Sequence, residues 1–376
     1  MENLTHSLVG AALADVALPN DATRAQRTIF LTAGVLGANL PDGDLFYSNI
    51  MSPPIGYLLQ HRGYTHTIVG CLVLACFVGA FGFIPAIRDR LGATRRRWWM
   101  FVVVALLSHI TLDWWNSYGV HPFWPFDNRW VYGDAINIFE PLLWVMLGMV
   151  VAMNRIHIVS RIGVFLLVAG GALGIAVVGL IPFSAAIVAE ALGGVLLIAL
   201  WRVSRRTRAA TSLALSLVFV VAMFGLNRVA RGEVVRTWQH SPNGAIVDIV
   251  LSPAAANPLC WSALTIERDA GNDTYTLRRG RVSLFSGEKP RERCMRESSS
   301  TETQSLTRLR QLRRDNCRVA AWLQFGRAPA IEDTHIFDYR FGGSNFTDMS
   351  FTDGEVPCPR YLTPWRPPRE DLLGSS

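Results

Sequence analysis

The sequence runs to 376 residues, is 50% hydrophobic and only 17% charged, and has a mean hydropathy of +0.25. A soluble globular chain carries roughly 25% charged residues, so this balance argues against an ordinary soluble protein and for a membrane one. The net charge of +7 does not point to nucleic acid, because much of it is arginine in loops between apolar runs, where membrane topology accounts for it.

No Lys or Arg precedes Arg24, so the basic n-region of a signal peptide is missing and the N-terminus is expected to be retained. Residues 4–18 and 28–40 read as two short apolar helices, closed by Pro19-Asn20-Asp21 and by Pro41. Each falls below the roughly 20 residues of a full span. Gly34, Gly37 and Ala38 give the second a small-residue face suited to close helix packing. Six longer apolar segments follow, at 67–87, 98–115, 136–153, 162–181, 184–201 and 210–226. Each is expected to span as a helix, the one open-chain form that satisfies its own backbone in lipid. Near residues 228–232 the composition turns polar. The expected fold is an all-α polytopic membrane helical bundle over 1–230, with six long spans and two short N-terminal helices. An extracytoplasmic α+β tail over 231–376 completes it.

If all six segments cross, Arg88 to Arg97, Arg155 with Arg161, and Arg202 to Arg208 share one side, which the positive-inside rule makes cytoplasmic. The loop of His61 and His66, the loop 116–134 and the tail then lie outside, with Arg228 and Arg231 as a discordant pair of charges. Trp114, Trp115, Trp124 and Trp130 fit an aromatic belt at that outer interface. Within the tail, 259–268 and 274–285 alternate as strands, 306–325 reads as helical and 335–341 as a late strand. Cys260, Cys294, Cys317 and Cys358 are an even set compatible with disulfides in an oxidising compartment, while Cys71 and Cys76 lie in a span as small packing residues.

The stretch Gln60-His61-Arg62-Gly63-Tyr64-Thr65-His66-Thr67 sets two imidazoles against a long apolar run. A polar ring beside hydrocarbon is costly unless something binds it. Alone, this stretch reads equally as an interfacial loop facing lipid headgroups. His6 opens the first short helix, Asp42 and Asp44 follow the second, and His109 and Asp113 close a later segment. The i,i+4 spacing of His109 and Asp113 puts them on one helix face, about 6 Å apart along the axis. All seven fall at the outer ends of their helices, so a shared divalent metal explains them jointly. Singly, Asp42 and Asp44 are ordinary turn chemistry and His6 a packing residue. Mixed nitrogen and carboxylate ligands suit Zn²⁺, and Mn²⁺ or Fe²⁺ also fit. Two metals sharing a carboxylate and one metal with outer partners are both open.

The blocks Asn39-Leu40-Pro41-Asp42-Gly43-Asp44, His61-Arg62-Gly63-Tyr64-Thr65-His66-Thr67 and His109 through Gly119 resemble the signatures of the YdjM-like (LexA-regulated) inner-membrane family. Pro125 to Arg129 and Phe139-Glu140-Pro141-Leu142-Leu143-Trp144 continue the likeness, with Glu140 where the family usually has Asp. Tail pieces 257–261, 321–325 and 338–340 extend it further. The resemblance implies a metal-dependent hydrolase, with the natural substrate unsettled. On this reading His6, Asp42, Asp44, His61, His66, His109 and Asp113 bind metal, Arg62 holds an anionic group, and Glu140 is a ligand or base. Membrane position and Arg62 suggest a lipid-like or phosphoester substrate; the competing class is a metal-binding transporter, sensor or assembly factor. No Gly-rich phosphate loop, nucleophile elbow or paired CxxC appears.

Overall fold

A computed structural model describes the chain except residues 49, 52, 239–243, 270, 286, 289–293, 295–298, 343–345, 353, 355–362 and 375–376. The chain begins with α1 (Asn3–Ala17), started by Glu2, whose carboxylate accepts from the Thr5 amide. Then comes α2 (Arg24–Asn39), opened by a reciprocal capping box between Thr23 and Gln26. These two helices touch backbone to backbone. A Cβ added at Gly10 would sit 2.1 Å from the Gly34 carbonyl oxygen, and one at Gly34 would sit 2.3 Å from that of Gly10. Overpacking a core typically costs about 1–3 kcal/mol. Here the obstacle is backbone and cannot rotate away, so Gly34→Val is expected to cost about 3 kcal/mol or more. A lowered thermal midpoint of the detergent-solubilised protein would register it.

The helices α3 (Leu45–Ser48), α4 (Ile55–Gln60), α5 (Ile68–Ala80), α6 (Pro85–Leu91) and α7 (Arg95–Trp114) follow. After a long loop come α8 (Pro141–Asn154), α9 (Ile158–Val177), α10 (Phe183–Leu200) and α11 (Arg205–Thr237). Only α9, α10 and α11 among the described helices are individually long and apolar enough to cross a bilayer. A fourth crossing is available if residues 55–66 and 68–83, bent by 64° at their junction, count as one broken span.

Six long spans are therefore not what the chain builds, and the physical reasons are local. The segment expected at 67–87 stays helical only over Ile68–Ala80, then tightens into a 3₁₀ turn before Pro85. At 1.5 Å per residue its 13 residues reach about 20 Å, short of the ~30 Å hydrocarbon layer. The segment at 136–153 begins only at Pro141, which suits the first helical turn, leaving 14 residues. α7 has the length, but it carries three arginines and an aspartate and buries Trp98, Phe101, Val102, Ala105, Leu106, His109 and Asp113. That face serves protein, while Met100 and Val104 lie exposed.

The 33 residues of α11 make a rod of about 50 Å that outlasts a bilayer and runs past residue 230 into the tail. Arg231, discordant with a crossing at 210–226, lies 3.9 Å from Asp134. The tail opens with β1 (Gly244–Ala254), β2 (Asn257–Asp269), β3 (Thr274–Ser283) and β4 (Ser300–Ser305), an antiparallel sheet in sequence order. Helices Leu306–Asp315 and Cys317–Trp322 follow, then a smaller antiparallel sheet of β5 (Pro329–Glu332), β6 (His335–Asp338) and β7 (Met349–Ser350). Cys260 is joined to Cys294, and Cys317 is also disulfide-bonded. Cys358 lies outside the described residues. Cys71 and Cys76 are free thiols.

Two apolar cores cross between helices and tail. One gathers Leu58, Leu59, Tyr118 and Trp130 with Leu264, Tyr275, Leu277, Trp322 and Phe325. The other joins Trp144, Ala230 and Val234 to Ile249, Leu251, Trp261 and Val282. The tail is thus packed directly onto the part of the helical domain that carries the polar cluster.

Candidate metal centre

Four local structures converge. The i,i+4 pair His109 and Asp113 lies on the inward face of α7. Asp42 and Asp44 sit on a 3₁₀ turn that Pro41 starts directly after α2. His61 ends α4, Arg62 takes a left-handed backbone (φ 61°), and a second 3₁₀ turn brings His66 back toward the same point. Such a conformation is uncommon for a residue with a side chain and here lies within the bend between α4 and α5. Thr67 fixes the exit, accepting from the Gly70 amide at 2.8 Å and donating to the Tyr64 carbonyl at 2.9 Å.

Asp42, His66, His109 and Asp113 each offer one ligand atom to a common point, all within 4.8 Å of one another. His66 Nε2 lies 3.0 Å from His109 Nε2, 3.2 Å from Asp42 Oδ1 and 3.3 Å from Asp113 Oδ2. His109 Nε2 lies 3.4 and 3.5 Å from the same two oxygens. The far sides of both rings fix their protons. His109 Nδ1 is 2.6 Å from the Ala38 carbonyl, so it must donate there. His66 Nδ1 faces Asp44 Oδ2 at 3.2 Å and Thr65 Oγ1 at 3.0 Å, and the Thr65 hydroxyl itself donates to Asp44.

In their neutral forms both imidazoles therefore turn an Nε2 lone pair toward two carboxylate oxygens. Asp113 Oδ2 is buried without a hydrogen-bond donor. In that protonation state four electron-rich atoms face one another and repel unless a metal ion or an added proton sits between them. Tetrahedral ligands at 2.0–2.1 Å from an ion are ~3.4 Å apart, close to the separations found.

Asp44, His61 and His66 form the second group able to hold an ion. Its carboxylate is already engaged, by His61 Nδ1 at 2.9 Å, the Arg62 amide at 3.1 Å, Thr65 and His66. Through these contacts it orients the His66 imidazole from the side away from Asp42 and Asp113. His6 stacks on His109 with ring centroids 4.0 Å apart, and its Nε2 is 3.4 Å from Asp113 Oδ1. Neither His6 ring nitrogen has a hydrogen-bond partner. Arg62 is buried, donates to Asp113 Oδ1 at 3.0 Å and Asn116 Oδ1 at 3.3 Å, and lies over the Tyr118 ring. The Met1 amino group also pairs with Asp113 Oδ1. Thr65 and Asn116 were not singled out from sequence, although both fall inside the quoted motif blocks; nothing in a hydroxyl or an amide marks it as the brace of a carboxylate or a guanidinium.

Glu140 belongs to neither group. It caps α8, and its Oε1 accepts from the Leu142 and Ala256 amides, both at 3.2 Å, which ties the β1–β2 turn to the helix. Burial pushes its carboxyl up to about 8. The folded form then holds its proton more tightly than the unfolded chain, so the associated stability is complete below about 4.5 and is lost as pH rises through about 8. Glu140→Gln keeps a carbonyl for both amides and removes the titration. Thermal midpoints measured from pH 5 to 9 are expected to fall in the parent and stay level in the variant.

Two further titratable side chains of the loop 116–134, His121 and Asp134, have partners of their own outside the ligand groups. His121 lies between Trp130 and Trp365, and Asp134 takes both Nη atoms of Arg327, at 2.9 and 2.8 Å. The cluster opens on a cavity of about 710 Å³ that Asp42, His61 and Arg62 line from the helical side and Arg279, Arg281 and Arg340 from the tail.

A family model described as YdjM inner membrane protein matches residues 1–234, which include every residue of the cluster. The chain is 27% identical to the uncharacterized protein YfhP of Bacillus subtilis (strain 168) over 152 residues, 39% of this chain and 43% of that protein. It is 36% identical to the inner membrane protein YbcI of Escherichia coli (strain K12) over 104 residues, 26% of this chain and 55% of that one. The chain thus spans about half the length of these relatives, and no solved structure matches it. On the strength of the family match, the chain belongs to the YdjM inner membrane protein family.

Proposed function

We propose that this protein is a membrane-embedded, metal-dependent hydrolase that acts at the outer membrane face on a lipid-like or phosphoester substrate. The observation that carries this reading is the convergence of two imidazole lone pairs and two carboxylate oxygens beside a large cavity. Asp42, His66, His109 and Asp113 would hold the ion, Zn²⁺ by the donor set with Mn²⁺ or Fe²⁺ also accommodated. His6 supplies a further nitrogen beside Asp113, and Asp44 and the Ala38 carbonyl keep the two rings in register. A divalent ion there would supply Lewis acidity, polarising the scissile group and lowering the pKa of water toward about 7.

The chain's own part is positioning. Arg62, braced by Asp113 and Asn116, presents positive charge on the cavity wall where negative charge would develop. One site at one depth favours hydrolysis over transport, which would need ligands at several depths along a path. Arg155 and Arg205 pair with Asp15 at the far end of α1 from His6, and Arg24 and Arg27 line the same pocket, which supports a cytoplasmic position for that end and an outer one for the cluster.

The test uses full-length protein stripped with chelator and refilled separately with Zn²⁺, Mn²⁺ and Fe²⁺. Phospholipids and soluble phosphoesters are then offered and released phosphate or headgroup measured. Turnover restored by one metal is expected. A stoichiometrically loaded protein that cleaves none of these overturns the hydrolase reading and favours the non-catalytic one.

A further inference from the structure

The tail sheet carries a second signal. On one face of β1–β3, Val250, Leu264, Tyr275 and Leu277 pack into the core shared with the helices. Side chains alternate along a strand, so that same face continues at Ser252, Ser262, Arg279 and Arg281. Ser252 is paired with Ser262, and Ser262 with Arg281, so these three stand in a row across adjacent strands. All four line the cavity onto which Asp42, His61 and Arg62 open. A face that served packing alone would stay apolar where it is covered; this one turns polar and basic where it meets the internal space. The cavity's other wall is apolar, with Ile138, Phe139, Ile175 and Leu180. Ile175 lies near the C-terminal end of α9, a candidate span, so that wall sits where a bilayer surface would meet the protein.

We infer that this face of the tail, residues Ser252, Ser262, Arg279 and Arg281, is the anion-recognition half of the site, selecting an amphipathic molecule with a phosphate headgroup. The inference rests on the proposed reading of the metal centre and names its substrate class. The Arg279 guanidinium and two hydroxyls offer the donors a phosphate accepts, Arg281 adds positive charge in the same row, and the apolar wall receives the hydrocarbon. These residues lie beyond 1–234, so the specificity is supplied by a part of the chain that the family match does not reach.

The experiment measures binding without turnover. Full-length, metal-depleted protein is titrated with dihexanoyl phosphatidate, dihexanoylglycerol and inorganic phosphate. The parent is expected to bind the phosphatidate most tightly. In Arg279→Gln/Arg281→Gln its dissociation constant should rise by about ten-fold or more, while metal uptake on refilling is unchanged. Arg279→Lys/Arg281→Lys, which keeps the charge, should recover most of the affinity and shows that the fold is retained. Unchanged phosphatidate affinity in the Gln variant overturns the inference, as does equal binding of the phosphate-free glyceride. Inorganic phosphate binding as tightly as phosphatidate overturns the lipid assignment. Arginine-dependent binding in a protein that hydrolyses nothing would sink the hydrolase reading and leave this one standing; metal-dependent turnover unaffected by the Gln variant would do the reverse.

Discussion

Replacing His66 by alanine is expected to strip the purified protein of divalent metal, down to background, and with it any hydrolysis. His66 is the one residue common to both groups of candidate ligands. Its Nε2 is within 3.3 Å of Asp42, Asp113 and His109, while its Nδ1 reaches Asp44. Alanine removes the central donor and leaves two buried carboxylates without it, so a large loss follows from either arrangement. His61→Ala separates the two. If Asp44 and His61 stand behind His66, their loss weakens affinity by about 10–100-fold and leaves one ion per chain at saturation. If they ligate a second ion, saturation falls from two to one. Metal content by mass spectrometry, with parent and variants purified alike, decides between them. Parent protein that takes up no ion under saturating metal would mean that a proton on His66 balances the carboxylates, and the metal reading would fall.

The parts of this site legible in the sequence were those governed by local geometry. His109 and Asp113 lie one helical turn apart, so any helix there puts them on one face, and the structure brings them together with His66 and Asp42. Whether Asp44 meets an ion itself or orients His66 was not legible, because which side of an imidazole a carboxylate takes is set by rotamer and tertiary packing. Span counting failed for a related reason. An apolar run records the need to leave water and does not say whether lipid or protein takes it in. α7 satisfies much of that need against protein, burying Trp98, Phe101, Val102 and Leu106, whereas α9 buries little beyond Val168, Ala172 and Ala176 and leaves Ile162, Leu166 and Leu173 exposed. In the tail, alternation marked the strands at 259–268 and 274–285, matched by β2 and β3. It did not say that one end of their shared face would cover a cavity, since that depends on where the helices stop.

Removal of Arg327 is expected to detach the roof of the site while leaving the metal ligands intact. Arg327 is buried, and its guanidinium binds both oxygens of Asp134 from the helical domain, donates to Asp248 on β1 at 2.7 Å, and lies over the Tyr132 ring. Breaking a buried pair from one side leaves uncompensated charge and costs about 3–5 kcal/mol; here Asp248 would be left with Arg369 at 3.3 Å and Asp134 with Arg231 at 3.9 Å. Arg327→Ala should therefore lower the unfolding midpoint sharply and open the tail to limited proteolysis. Asp134→Asn should cost less, because Asp248 still pairs with the arginine. Burial opposes ionisation of Asp248, but Arg327 holds its carboxyl well below the usual range. With a depressed folded-state value, the stabilisation is present above the unfolded pKa of about 3.9 and is lost as pH falls through the folded one. Acid should consequently loosen the tail of the parent along the same proteolytic cuts that Arg327→Ala exposes at neutral pH. The variant should retain ion uptake and lose affinity for dihexanoyl phosphatidate, since the wall bearing Arg279 and Arg281 is held in place across this ion pair. Loss of the ion together with the lipid would instead mean that the roof shapes the ligand cluster itself.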